Sequence, residues 1–465
     1  MTSIKFGTDG WRAIIAKEFT TDNVARVAYA TALWIKENTD NHSAVVGFDC
    51  RFGGKLFSET TISIFISEGI TVYTSDSFVS TPMVSLSTLK HKAYTGIVIT
   101  ASHNPPSYNG FKIKAHYGGP AIQSEINAVE AKIPKEFTPE IIPFDELKKH
   151  DLVQMIDMEQ EYIDHVKKHF DIEKINSCGL NFGYDAMYGA GQNIIRRLIP
   201  NAILLHAEHN PSFEGQAPEP IARNLKAFSK LISETDISSG LATDGDADRI
   251  GLFDENGKFV DSHHIILLLI RYLVEFKQEK GNVYTSFSCT SKIKSICDHY
   301  GLEHHVTKIG FKYICEEMIS NPTLLGGEES GGIAVSSHIP ERDGIWMGLI
   351  LWEYMANTGK SLNTLIQEVY QITGSFAMDR YDLHVPESQK LDIINQCKEK
   401  SYSQFGNYPV TGHEDIDGYK FLLNEDNWVM IRPSGTEPVL RVYAQADNVN
   451  EVKQILDATK ETILA

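Results

Sequence analysis

Three carboxylates at alternating positions mark the segment Asp244-Gly-Asp-Ala-Asp-Arg249. Around a Gly turn, Asp244, Asp246 and Asp248 can converge on one hard cation, and without one they would repel strongly. Three protein carboxylates that leave coordination positions open suit Mg²⁺ shared with a phosphate. The same spacing matches calcium-loop positions one, three and five, with Glu255 at twelve. Arg249 stands where that loop needs Gly, and the flanks read as strands, so an EF-hand is disfavoured. The plainer alternative is a solvated acidic turn.

A second candidate is Thr100-Ala-Ser-His-Asn-Pro-Pro106. Ser102 stands where a strand gives way to a Pro-restricted loop, which lets its hydroxyl be exposed and rigidly held; the plainer alternative is a Ser/Asn turn. His103 is its immediate neighbour, a poor geometry for a general base. No Gly-x-Ser-x-Gly elbow surrounds the serine, which disfavours a Ser–His–Asp hydrolase. Gly326-Gly-Glu-Glu-Ser-Gly-Gly332 sets Glu328 and Ser330 among glycines, a pattern that can read vicinal sugar hydroxyls or form a simple flexible loop. Arg432-Pro-Ser-Gly-Thr-Glu-Pro438, with Arg441, offers guanidinium groups, the hydroxyls of Ser434 and Thr436 and the close-approaching N–H of Gly435: a phosphate cradle or a Pro/Gly turn. Arg12 closes Gly7-Thr-Asp-Gly-Trp-Arg12, and Lys112 follows Asn109-Gly-Phe. Cations of this kind neutralise charge on a reacting phosphoryl group. A hydroxyl nucleophile, a divalent metal, a hydroxyl-reading loop and a phosphate cradle are the parts needed for phosphoryl transfer on a phosphosugar.

These loops need a scaffold, and strand-like apolar runs alternate with helical periodicity almost to the end of the chain. Residues 21–38 read as a helix capped by Thr21, with Val24, Val27, Ala28, Thr31 and Trp34 or Ile35 on one face. Ser43–Phe48, Gly96–Ala101 and Leu180–Tyr184 read as buried strands, and Leu241–Thr243 and Ile250–Phe253 bracket the acidic loop. Such alternation predicts α/β layers, partly parallel. After Ile372 the texture becomes that of a small α+β unit. The spacing of the serine, aspartate, Glu/Ser and Arg/Ser/Thr loops, roughly a hundred residues apart, predicts one loop per domain, converging on a central cleft.

The length of 465 residues is about three domains' worth, or four small ones. With 43 Lys+Arg against 61 Asp+Glu the chain carries −18, which argues against nucleic acid as a partner. The most apolar stretch, Ile265–Val274, is about half the length of a bilayer span, and the N-terminus has no signal-peptide core. No Cys-x-x-Cys occurs among the six cysteines, so free thiols in a reducing cytoplasm are expected.

Taken in order and at their spacing, Thr100-Ala-Ser-His-Asn-Pro, Asp244-Gly-Asp-Ala-Asp-Arg, Gly327-Glu-Glu-Ser-Gly and Arg432-Pro-Ser-Gly-Thr-Glu-Pro resemble the loops of the α-D-phosphohexomutase family, over nearly the whole chain. That family contains phosphoglucomutases, phosphomannomutases and phosphoglucosamine mutases. The resemblance implies an α/β fold of four domains around a central cleft: three related three-layer domains and a smaller C-terminal α+β domain. Residues 1–150 would carry the phosphoserine loop, 151–257 the metal loop, 258–371 the sugar loop and 372–465 the phosphate loop. It implies that Ser102 is phosphorylated and that Ser102, Asp244, Asp246 and Asp248 hold Mg²⁺. Arg12, Lys112 and His103 would serve the chemistry. Arg249, Lys312, Glu328, Ser330, Arg342, Arg432, Ser434, Gly435, Thr436 and Arg441 would bind the substrate. In the implied cycle a hexose 1-phosphate takes phosphate from Ser102 at O6, and the 1,6-bisphosphate turns over. Its 1-phosphate then returns to Ser102, with glucose 1,6-bisphosphate as activator.

The form of the sugar loop points to glucose, then mannose; glucosamine or pentose phosphates are the alternatives. Gly332 stands where some members have His, and Arg342 where others have Lys; an arginine is a poor proton acceptor. The resemblance further implies small phosphosugars as partners, no nucleic acid or membrane, a cytoplasmic location and a monomer or homodimer. Two other classes compete. In a haloacid-dehalogenase-type enzyme Asp244 would be the nucleophile and Ser102 idle. A non-catalytic Ca²⁺ or sugar-phosphate binder would need no reactive serine.

Overall fold

Continuous apolar runs such as Ser43–Phe48 have no polar face to offer solvent, so they belong in the middle of a sheet covered on both sides. The structure, a computed structural model, bears this out. It describes residues 4–7, 9–138, 141–433 and 439–465. Within it the chain divides into two units, residues 1–284 with 310–366 and residues 285–309 with 367–465.

The first unit contains a six-stranded sheet in the order Trp11–Ile14, Tyr108–Ala115, Thr95–Ile99, Ser43–Phe48, Thr71–Thr74, Val153–Met155. Ser43–Phe48 is parallel to both its neighbours, whereas Tyr108–Ala115 runs antiparallel to Thr95–Ile99 and to Trp11–Ile14. The helix Thr21–Asn38 buries Val24, Val27, Ala28, Thr31, Trp34 and Ile35, the face that periodicity predicts. Its cap is Thr20 rather than Thr21: Thr20 keeps extended backbone angles and its side chain accepts the Asn23 N–H at 3.3 Å.

A second sheet in this unit has the order Phe259–Val260, Ile250–Phe253, Ser239–Thr243, Phe182–Asp185, Ile203–Leu205. Ser239–Thr243 and Ile250–Phe253 pair antiparallel, Thr243 opposite Ile250, and the acidic loop is their connection. Farther on, Thr323–Gly327 and Ile333–Val335 form another antiparallel pair that presents the turn 328–332. The apolar segment 265–274 lies inside the helix Ser262–Glu275, almost wholly buried. Among the described residues no helix is long and apolar enough to cross a membrane, and all six cysteines are free.

The second unit is built on a five-stranded antiparallel sheet, in the order Ala377–His384, Val439–Ala446, Trp428–Pro433, Tyr419–Leu422, Gly412–Glu414. The helix Val449–Leu464 covers one face through Val452, Ile455, Leu456 and Ile463. Phe287 packs with Trp428, Met430 and Tyr443, and the Lys420 ammonium lies 4.2 Å from the Phe287 ring centroid and 4.4 Å from that of Trp428.

Candidate active site

The strand Thr95–Ile99 ends three residues before Ser102, and the loop there is held from beneath by one buried guanidinium. Arg51 donates to the carbonyls of Ser102 (2.7 Å), Asn104 (2.6 Å), Pro105 (2.9 Å) and Tyr108 (3.1 Å). Its Nε lies 3.3 Å from Asp49, with neither side chain exposed. Burial pushes the Asp49 carboxyl up to about 6, against the pull of Arg51 and a hydrogen bond from Thr100. Thr100 Oγ1 in turn accepts the Ser102 N–H at 2.9 Å. The serine sits at φ +52°, a left-handed conformation that a non-glycine residue adopts only when its surroundings hold it there.

The expected exposure of Ser102 is corrected: it is 1% exposed. The acidic loop of the second sheet covers it, and Ser102 Oγ donates to Asp244 Oδ2 at 2.7 Å. The approach is close enough to need a glycine. A Cβ at Gly245 would lie 2.5 Å from the Ser102 carbonyl oxygen. We expect Arg51→Met to lower stability by about 3–5 kcal/mol, because it strands a buried carboxylate and four carbonyls; a thermal or urea melt measures it.

The three aspartates are wholly buried, and each offers an oxygen within 4.8 Å of the others'. Asp244 Oδ1 accepts the Arg249 N–H at 3.0 Å. Asp246 Oδ2 takes the Thr81 hydroxyl at 2.5 Å and Lys112 at 2.8 Å, and Asp248 Oδ2 takes Lys112 at 3.1 Å. Asp246 Oδ1 and Asp248 Oδ1 have no hydrogen-bond partner, although both are buried. Burial, with Asp246 and Asp248 alongside, drives the Asp244 carboxyl well above the usual range. Two orphaned carboxylate oxygens and a third strained carboxylate fit a divalent cation, whose binding would satisfy both and relieve the repulsion.

Facing the aspartates is a set of cations gathered on Asp9. Asp9 Oδ2 lies 2.8 Å from Lys112 Nζ, 2.9 Å from Arg342 Nη2 and 3.2 Å from Arg12 Nη2. Arg342 Nη2 also reaches Asp248 at 2.8 Å, and Arg12 Nη1 donates to Asn104 at 2.8 Å. Burial alone would push the Lys112 ammonium down, but Asp246, Asp248 and Asp9 hold it well above the ordinary lysine value, so it stays charged. His103 Nδ1 lies 3.2 Å from Ser102 Oγ, so sequence neighbours do meet here, through the turn at Ser102. Burial, with Arg249 and Arg12 nearby, holds this imidazole well below the usual histidine value and keeps it neutral.

Glu328 is buried in its turn, and its Oε1 accepts the Gly310 N–H at 2.9 Å; burial raises its carboxyl against Arg342 and Arg249. Ser330 is half-buried in the same turn. Lys312 stands apart from the aspartate cluster: it donates to Gln123 at 2.5 Å and lies 5.0 Å from the Tyr313 ring centroid. In the second unit Arg432 Nη2 pairs with Asp417 at 3.2 Å, and Arg441, its cross-strand partner, has Nε 3.9 Å from Asp382. The remaining cradle residues, Ser434, Gly435 and Thr436, lie outside the described residues. Sequence reasoning missed Asp9, Arg51, Asp49 and Thr81. Asp9 sits inside the Gly7–Arg12 motif and could have been found as a partner for its arginine; Arg51 carries no local signal.

Four family models match the chain in order. They are phosphoglucomutase/phosphomannomutase alpha/beta/alpha domains I (residues 3–140), II (160–257) and III (261–372), and the C-terminal domain (383–462). The chain is 28% identical over 460 residues to a phosphoglucomutase/phosphomannomutase of Thermococcus kodakarensis, covering 97% of this chain and 96% of that one. It is 30% identical over 460 residues to the phosphoglucosamine mutase of Methanocaldococcus jannaschii, again 97% and 96%. A solved Thermus thermophilus structure, assigned as a phosphomannomutase, superposes with a TM-score of 0.88 at 31% identity over 100% of both chains. Fold and site thus define an intramolecular phosphotransferase of three α/β/α domains and a C-terminal domain. The chain belongs to the α-D-phosphohexomutase family. Membership sets aside the aspartyl-nucleophile and non-catalytic readings.

Proposed function

We propose that this chain interconverts hexosamine or hexose 1-phosphates and 6-phosphates through a phosphoserine at Ser102. The observation that carries the reading is the 2.7 Å hydrogen bond from Ser102 Oγ to a buried aspartate triad with two orphaned oxygens. Asp244, Asp246, Asp248 and a phosphoserine oxygen would hold Mg²⁺. The ion would supply charge neutralisation on the transferred phosphoryl group.

Charge supports the same reading. Asp9, Asp246 and Asp248 meet Lys112, Arg12 and Arg342 in close ion pairs, three carboxylates against three cations. Phosphorylating Ser102 adds up to about two negative charges, and a divalent cation offsets them. Lys112, Arg12 and Arg342 would stabilise charge on the phosphoryl oxygens. His103, neutral and 3.2 Å from Ser102 Oγ, would accept a proton when the serine is rephosphorylated, because Asp244, nearer at 2.7 Å, would be held by the metal. Arg249, Lys312, Glu328 and Ser330 would meet the sugar. Arg432, Ser434, Gly435, Thr436 and Arg441 would grip the phosphate that is not reacting. In this reading residues 1–150, 151–257, 258–371 and 372–465 each contribute one loop, and glucose 1,6-bisphosphate reloads a serine that has lost its phosphate.

For the sugar, glucosamine leads. The name phosphoglucosamine mutase recurs among curated relatives at 28–30% identity, which favours it over the glucose preference read from the loop. The test gives the protein Mg²⁺, a trace of glucose 1,6-bisphosphate and, in parallel, glucosamine, glucose, mannose and ribose phosphates. Phosphorus NMR then follows each conversion between the 1-phosphate and the phosphate at the other end of the sugar. We expect the largest kcat/KM on glucosamine 6-phosphate. A tenfold preference for glucose or mannose would overturn the sugar assignment and leave the mutase reading intact. No conversion of any of them would overturn both.

A further inference from the structure

Lys114 and Glu341 form an ion pair at 2.6 Å with neither side chain exposed. A pair this deep is costly to desolvate and adds little stability over well-packed apolar residues of the same volume. Its placement suggests another use. Lys114 follows Lys112 by two residues on the strand Tyr108–Ala115, so the two side chains leave the same face of the sheet. Glu341 Oε2 takes the Lys114 ammonium and the Ser85 hydroxyl, the latter at 3.3 Å. Oε1 is left for Arg342: it accepts that residue's backbone N–H at 3.1 Å and lies 3.5 Å from its Nε.

The rest of Arg342 is equally constrained. Its stem runs through the space that a side chain at 332 would fill, since a Cβ on Gly332 would lie 2.5 Å from Arg342 Cδ. The Phe311 ring centroid is 5.4 Å from the guanidinium carbon. At the far end Nη2 reaches Asp9 and Asp248.

We propose that Lys114 and Glu341 are positioning residues for Arg342, the buried pair aiming Glu341 Oε1 at the near side of the guanidinium so that Nη2 stays on Asp9 and Asp248. The proposal rests on the reading of Arg342 as a cation that meets the transferred phosphoryl group. A free arginine loses rotamer freedom when it meets an anion, whereas a bracketed one has already lost it.

The decisive variant exchanges the partners, Lys114→Glu with Glu341→Lys. The ion pair survives in reverse, but an ammonium now faces Arg342 Nε. We expect a melting temperature near that of the unchanged protein and a kcat lowered by about tenfold or more, with KM little changed. Unchanged kcat in the exchanged protein would make the pair merely structural and overturn the proposal. A second variant, Lys114→Met with Glu341→Gln, removes both charges and covers the case in which the exchanged protein does not fold. Its kcat must also fall, and must fall no further in an Arg342→Met background. Additive losses, or unchanged kcat, would overturn the proposal. If Arg342→Met keeps full kcat, the reading of Arg342 fails and takes the proposal with it. If Arg342→Met is impaired while both pair variants are fully active, the proposal alone fails.

Discussion

Ser102→Ala is expected to cost on the order of 10⁴-fold or more in kcat, because it removes the atom that carries the phosphoryl group rather than one that assists its transfer. The fold should survive. The side chain contributes one hydrogen bond to Asp244, and the loop's geometry is fixed from the other side by Arg51 and Thr100. Intact mass should find a phosphoryl adduct on the unchanged protein after incubation with glucose 1,6-bisphosphate and none on the variant. Turnover in the variant within tenfold of the unchanged protein would refute a phosphoserine intermediate. Ser102→Thr is a finer probe. At φ +52° a β-branched residue is strained, so Thr should lose most of the activity although it keeps the hydroxyl.

The second large effect has two signs in one variant. Lys112 pairs with Asp246 and Asp248, whereas Asp244→Asn removes the carboxyl whose ionisation burial and the repulsion of those two neighbours oppose in the metal-free protein. Burial, with Asp246 and Asp248, pushes that carboxyl well above the usual range. We expect the metal-free variant to melt a few °C higher than the metal-free unchanged protein. Its turnover at saturating Mg²⁺ should fall by about 10²-fold or more, since a neutral amide is a poor ligand for a hard dication. Chelation should likewise bring the unchanged protein to background, with Mg²⁺ restoring it. A metal-free variant that melts lower would show that the Ser102 and Arg249 hydrogen bonds to Asp244 outweigh the repulsion. Activity that survives chelation would remove the aspartates from the chemistry.

What could be read directly from the chain was local. A strand followed by a Pro-restricted loop located Ser102. Alternating aspartates on a Gly turn located the buried triad that could hold a metal. Helical periodicity found the buried face of Thr21–Asn38, because each signal is carried by residues within a few positions of one another. The order of four loops identified the family. The misplaced cap, Thr20 for Thr21, marks the limit even of local signals: adjacent threonines differ only in backbone angles that the packing of the first turn decides.

The interior of the site was decided by tertiary structure alone. Ser102 reads as exposed until a loop 142 residues later closes over it. Asp9 becomes the anchor of Arg12, Lys112 and Arg342, and Arg51 the clamp of the serine loop, through partners with no spacing rule in the sequence. Lys114 and Glu341 find each other across 227 residues. The amino-acid sequence by itself singled out the groups proposed to do chemistry, since reactivity belongs to residue types in short patterns. Only the tertiary structure decided their charge states and aim, because burial and ion pairing depend on which distant carboxylate meets which cation.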